Sequence, residues 1–221
     1  MAYNGPPVPR VARYGLLLIT LIASYLVSAV VHTSWGEVIH VGFAVAVGAL
    51  ALRHTRPWSR ITWLVVGTGL VTAVAAAFCA GSDNATAQGI AEVWNAVVLL
   101  ATVVIIVDRV LKMGEVAVQS IYGALSAYLL VGLMFAAWFG AMDLLVTGPF
   151  FAGGQPANTE TLQYFSFTTL TTLGYGDFTA AGSLGRAVAV IEALTGQVFL
   201  ATLVARLVSA YRAGGRPPAS G

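Results

Sequence analysis

Charge is scarce in this sequence. Only 9% of its 221 residues are Asp, Glu, Lys or Arg, against about 25% in a soluble domain. So little charge cannot cover a water-facing surface, which excludes a soluble globular domain and points to a bilayer. The basic residues flank apolar runs and do not gather in one patch, so the net charge of +2 gives no reason to expect a nucleic-acid partner. Cysteine is nearly absent. Cys79 stands alone inside an apolar run, so no intrachain disulfide can form, and it reads as a small packing residue. His32, His40 and His54 are scattered without Cys or carboxylate partners at metal-ligand spacing, so neither a zinc site nor a cofactor is expected. Paired catalytic carboxylates and a nucleophile beside a base are missing as well, so no enzyme is expected.

What the chain has is apolar length: 58% of it is hydrophobic and the mean hydropathy is +0.83. About 20 apolar residues cross a hydrocarbon core, and six runs approach or reach that length: 11–31, 38–52, 61–80, 90–107, 116–142 and 184–210. Arg10 and Arg13 followed by the apolar stretch Gly15 to Val31 imitate a signal peptide, but the run is long enough to span and is read as retained. Trp35 sits like an interface anchor in the loop before the second run. Residues 53–60 form a basic loop, 81–86 a turn, and 147–157 a Gly/Pro loop. Asn84-Ala85-Thr86 is formally a glycosylation sequon. Glu92, Asp108 and Glu115 lie near expected helix ends, solvated or paired with Arg109 or Lys112.

Between the last two runs lies the stretch that organises the rest, Thr171-Thr172-Leu173-Gly174-Tyr175-Gly176-Asp177. Glycine adopts φ > 0 without a Cβ clash. Gly174 and Gly176, alternating with Leu173 and Tyr175, can therefore turn successive carbonyls toward one side. A stack of such carbonyls replaces the hydration shell of a cation, and potassium-channel filters are built from this kind of loop, with Val where Leu173 stands. The stretch, preceded by Tyr164-Phe165 and Thr168-Thr169-Leu170, resembles the signature of the tetrameric potassium channels. The resemblance covers the pore unit, about 116–211. It implies K⁺ as the permeant ligand at Thr172, Leu173, Gly174 and Tyr175, with Gly176 completing the filter. It also implies a closed homotetramer, because one filter copy per chain cannot make a ring.

Around the filter, Asn158 or Thr159 is placed to cap a helix running to about Thr171, with Glu160 near its positive end. The family braces its filter from behind with aromatics at the positions of Tyr164 and Phe165. Some relatives carry at the position of Thr168 a glutamate that bonds to the filter aspartate. Here Asp177 must find another partner or face water. Gly196 falls where related channels have a gating hinge, and close helix packing by a small residue is the alternative. Glu192 lies inside an apolar helix, where a carboxylate defaults to a functional hypothesis. Its expected partners are pore-helix hydroxyls such as Thr168 or Thr169, or another helix.

With a cytoplasmic N-terminus and six alternating spans, ten of the eleven basic residues fall on the cytoplasmic side, Arg186 being the exception. That agrees with the positive-inside rule and brings the filter loop in from outside. The run 90–107 carries none of the regularly spaced basic residues of a voltage sensor; Arg109 and Lys112 come only at its end. The sequence thus predicts an all-α integral membrane protein with six transmembrane helices, a re-entrant pore helix and filter loop, and a fourfold tetramer. Residues 1–112 form a sensor-like four-helix domain, 113–212 the pore domain, and 213–221 a short cytoplasmic tail. The expected function is weakly voltage-dependent, K⁺-selective conduction across the plasma membrane. A poorly selective cation channel and a non-conducting sensor or scaffold are the alternatives.

Overall fold

The computed structural model describes residues 13–30, 67, 84–112 and 118–214. Five helices organise them: α1 (Arg13–Val30), α2 (Ala85–Lys112), α3 (Val118–Leu145), α4 (Thr159–Leu170) and α5 (Ser183–Gly214). Among the described residues the one β feature is an isolated bridge between Phe151 and Ala180. The expected spans 38–52 and 61–80 lie outside the described residues except for Gly67, as do Cys79, the three histidines, Glu115 and 215–221. α5 runs into the first two residues of the expected tail.

α2 is longer than the apolar run that predicted it, 90–107. The Oδ1 of Asn84 accepts the Ala87 N–H at 3.2 Å, and its carbonyl accepts Gln88 N–H at 3.2 Å. That is an N-cap, so residues 85 and 86 belong to the helix and not to a turn. Glu92 is consequently two turns inside α2, half-buried beside the bare backbone of Gly140 on α3, not at a helix end. At the other end Lys112 pairs with Asp108 at 2.7 Å, both exposed; such an i,i+4 pair contributes about 0.3–0.5 kcal/mol.

α3 is the central element. It packs against α1, α2, α4 and α5, and Ala127, Leu130 and Phe139 along it are fully buried. The Phe139 ring is the hub of an aromatic cluster, 5.3 Å from Phe150 and 5.1 Å from Phe165. Phe151 continues it to Phe165 and Phe178 at 5.6 and 5.1 Å. The Gly/Pro loop therefore carries core side chains. Its backbone is latched: the Asp143 carboxylate accepts Phe150 N–H at 3.2 Å, Ala152 N–H donates to Thr179 at 2.9 Å, and Ala181 N–H donates to Phe150 at 2.8 Å.

α5 is the opposite case. Its described buried residues, Gly185, Glu192 and Gly196, lie seven and four apart on one stripe, while Leu194 and Val198 are 61% and 65% exposed. An apolar helix left bare on most sides has the surface of a membrane span or of a helix covered by further chains. Among the described residues three helices are long and apolar enough to cross a membrane: Ala85–Lys112, Ser120–Leu145 and Ser183–Arg206. α1 contributes the shorter apolar stretch Tyr14–Ala23.

Candidate functional site

The site is the loop 171–177 and the helix that delivers it. α4 begins at the N-cap Asn158, whose side chain accepts Thr161 N–H at 2.9 Å while Asn158 N–H donates to Thr161 Oγ1 at 3.0 Å. This reciprocal capping box fixes where the short helix starts. Its other end is tied down by the loop. Thr171 N–H donates to Phe167 at 3.1 Å and Thr172 N–H to Thr169 at 2.9 Å. Leu173 and Gly174 N–H both donate to the Thr168 carbonyl, at 2.8 and 3.1 Å. Four consecutive donors thus turn back to satisfy the last carbonyls of α4, which a helix end otherwise leaves orphaned.

The backbone hand alternates over the same residues. Thr172, Gly174 and Gly176 have φ of +58°, +49° and +83°, while Leu173 and Tyr175 between them stay at negative φ. Two of these left-handed positions were legible as glycine. Thr172 was not, because a β-branched residue is disfavoured there. With the N–H groups committed to α4, the carbonyls of Thr172, Leu173, Gly174 and Tyr175 accept no hydrogen bond among the described residues. All of residues 171–177 are exposed in the single chain, Tyr175 by 69%. Unpaired carbonyls require water, a cation or further protein to satisfy them.

Residues 128–213 match the family model of an ion channel. No curated protein and no solved structure gives a significant match. The matched segment runs from mid-α3 to the end of α5 and contains α4 and the whole loop. This part of the chain is similar to an ion-channel domain. Together with the three spanning-length helices, it makes the chain an integral membrane protein.

The channel-like segment places the expected supporting residues unevenly. Tyr164 stands at the C-terminal end of the loop, its ring 5.6 Å from Phe178. Its hydroxyl bonds to the Asp177 carboxylate, and that bond, ahead of burial, raises the phenol above its ordinary pKa of 10.0. Asp177 thereby gains the partner that Thr168 cannot supply. It also accepts Phe178 N–H at 3.1 Å, and its carbonyl accepts Gln155 Nε2 at 2.9 Å. Phe165 faces away from the loop into the aromatic cluster. Thr168 contributes its carbonyl, as above, while its hydroxyl donates to Phe165 O at 3.0 Å.

Glu192 does not bond to Thr168 or Thr169. Its partner is Ser166, at 2.5 Å. The reason is helical rotation: at about 100° per residue, Thr168 lies some 200° around α4 from the Ser166 face that meets α5. Gly196 lies against the last turn of α4. A Cβ there would stand 2.2 Å from the Leu170 carbonyl oxygen, which itself accepts the Tyr128 hydroxyl of α3 at 3.2 Å. Close approach gives this glycine a packing reason independent of any bending.

Gln197 is a site residue outside the expected set. Its Nε2 donates to Thr172 Oγ1 at 3.1 Å. The amide orientation follows from counting protons, since the single Thr172 hydroxyl proton is given to the Thr171 carbonyl at 2.6 Å and Oγ1 can only accept. An amide within an apolar spanning run, next to Gly196, was the available signal.

Proposed function

We propose that the chain is the subunit of a potassium-selective channel. The observation that carries this reading is the row of four unpaired carbonyls, Thr172 to Tyr175, held by N–H groups turned back onto α4. The alternating sign of φ at 172–176 supports it, because that alternation aims consecutive carbonyls to one side. Their oxygens would replace the hydration shell of K⁺, with the Thr172 hydroxyl beneath them. In this reading α4 is a re-entrant pore helix whose negative C-terminal end favours a cation. α3 and α5 are the outer and inner helices, and four copies close the ring. The exposure of the loop and of α5 in one chain fits such a ring. Six alternating spans with cytoplasmic termini accord with the positive-inside distribution of the basic residues, and a plasma-membrane location belongs to the same proposal. Voltage dependence is weak, because the cationic side chains of α2 are Arg109 and Lys112 in its last turn, and Lys112 is neutralised by Asp108.

Proteoliposomes with opposed K⁺ and Na⁺ gradients test the reading. A selective channel drives the potential to the K⁺ value. A potential near zero with rapid flux gives the second reading, a poorly selective cation channel. That reading draws on the absence of a carboxylate at Thr168, so that Asp177 is held from α4 by Tyr164. No flux identifies a silent sensor or scaffold and overturns both.

A further inference from the structure

Three polar groups from three helices meet in a fully enclosed part of the structure. Ser166 on α4 and Glu192 on α5 are each 0% exposed. Ser166 Oγ lies 2.7 Å from the carbonyl oxygen of Gly132 on α3 and 2.5 Å from Glu192 Oε1. Both separations belong to O–H···O hydrogen bonds, and each needs one proton between its oxygens. A serine hydroxyl brings a single proton, a backbone carbonyl brings none, and an ionised carboxylate only accepts. One proton cannot occupy both contacts, so the second has to come from Glu192.

From this count we infer that Glu192 is held as a neutral carboxylic acid that donates to Ser166, which donates in turn to Gly132. Glu192 is then a positioning residue for the pore loop. The directed chain of two hydrogen bonds fixes α4 between α3 and α5, four residues before its C-terminus.

The surroundings agree. Among the described residues Glu192 Oε2 accepts no hydrogen bond. An ionised group would leave a charged oxygen there without compensation, whereas a neutral acid leaves only a carbonyl oxygen, a far smaller cost. Among the described residues no cation offsets a charge. The ionisable group facing it from α3 is the Tyr128 phenol, which donates to Leu170, and α4 presents Ser166. On α5 itself, Arg186 and Arg206 are engaged elsewhere, donating to the carbonyls of Ala180 and Leu111. The helices also approach closely enough for the chain to be short. A Cβ at Gly132 would meet the Phe167 ring at 2.5 Å, as one at Gly196 would meet Leu170.

The functional half of this inference rests on the channel reading; the protonation half does not. The test is the infrared spectrum of purified protein in lipid at neutral pH, compared between wild type and Glu192→Gln. Wild type should show a carboxylic-acid carbonyl band that the variant lacks. Identical spectra in that region overturn the proposal. Gln at 192 keeps a donor of the same shape, so it should assemble and keep a K⁺/Na⁺ ratio within about twofold of wild type. Glu192→Leu and Ser166→Ala should each lower that ratio about tenfold, the order expected when a buried polar partner is left unsatisfied. Failure of Glu192→Gln to assemble, while wild type assembles, would also overturn the neutral-donor assignment. If wild-type protein conducts nothing, the channel reading fails and the infrared comparison still decides the protonation.

Discussion

Gly196→Ala separates two explanations of the glycine by their opposite signs. If α5 bends there, alanine only stiffens a helix, gaining about 1 kcal/mol in helix propensity. Opening would fall, stability would rise and ion selectivity would stay unchanged. The close approach to α4 demands another outcome. The new methyl would lie 2.2 Å from the Leu170 oxygen and 3.0 Å from its Cδ1, where ordinary contact begins at 3.4 Å. About 1.2 Å of displacement is therefore needed, from a residue that is 0% exposed and whose oxygen holds the Tyr128 hydroxyl. Overpacking of this kind costs about 1–3 kcal/mol, and loss of the Tyr128 bond adds about 1 kcal/mol. These exceed the propensity gain, so the net effect is destabilising by about 1–3 kcal/mol. The strain also falls on the last residue of α4, two before Thr172, so it reaches the loop. The melting temperature of the purified protein should drop, and the K⁺/Na⁺ ratio from reversal potentials should drop with it. A variant with unchanged selectivity and equal or higher stability would refute the packing argument.

Gly176→Ala places a side chain at φ +83°, which costs about 1–2 kcal/mol in the left-handed region. The K⁺/Na⁺ permeability ratio should fall about tenfold, and an unaltered ratio would contradict the alternating-hand geometry. Tyr164→Phe removes the bond to Asp177 and should destabilise the C-terminal end of the loop, read as faster loss of K⁺ current during sustained conduction. The phenol's pKa is raised, so in wild type the bond is fully present below pH 10.0 and lost as pH rises through the higher folded value. The variant should lack that alkaline limb, and identical pH profiles would dismiss the bond. Gln197→Leu frees the Thr172 hydroxyl from its donor and should change single-channel conductance and block by internal Ba²⁺ while leaving melting temperature unmoved; unchanged permeation would leave Gln197 without a role at the loop.

The sequence by itself determined the features governed by local rules. Transfer free energy makes long apolar runs into spanning helices, and the described parts of four of them are helical where expected. Asn158 with Thr161 starts α4 because a cap is satisfied within one turn, and glycine marks the left-handed positions 174 and 176 because chirality acts residue by residue. The same local logic extends to Asn84, whose cap starts α2 ahead of the apolar run 90–107 and which apolar length alone does not reveal.

What only the tertiary structure decided depends on how helices are rotated and how closely they approach. Thr172 is left-handed because its N–H is drawn back to Thr169 and its side chain is held by Gln197 from another helix. Composition marks 147–157 only as a Gly/Pro loop, yet Phe150 and Phe151 enter a ring cluster built from three other segments. Glu192 was legible as an unusual buried acid. Its partner was not, since Ser166 and Thr168 are equally polar in sequence and differ only in which side of α4 meets α5. That choice is fixed by the packing of α4 against Gly132 and Gly196, contacts made across tens of residues that no local rule specifies.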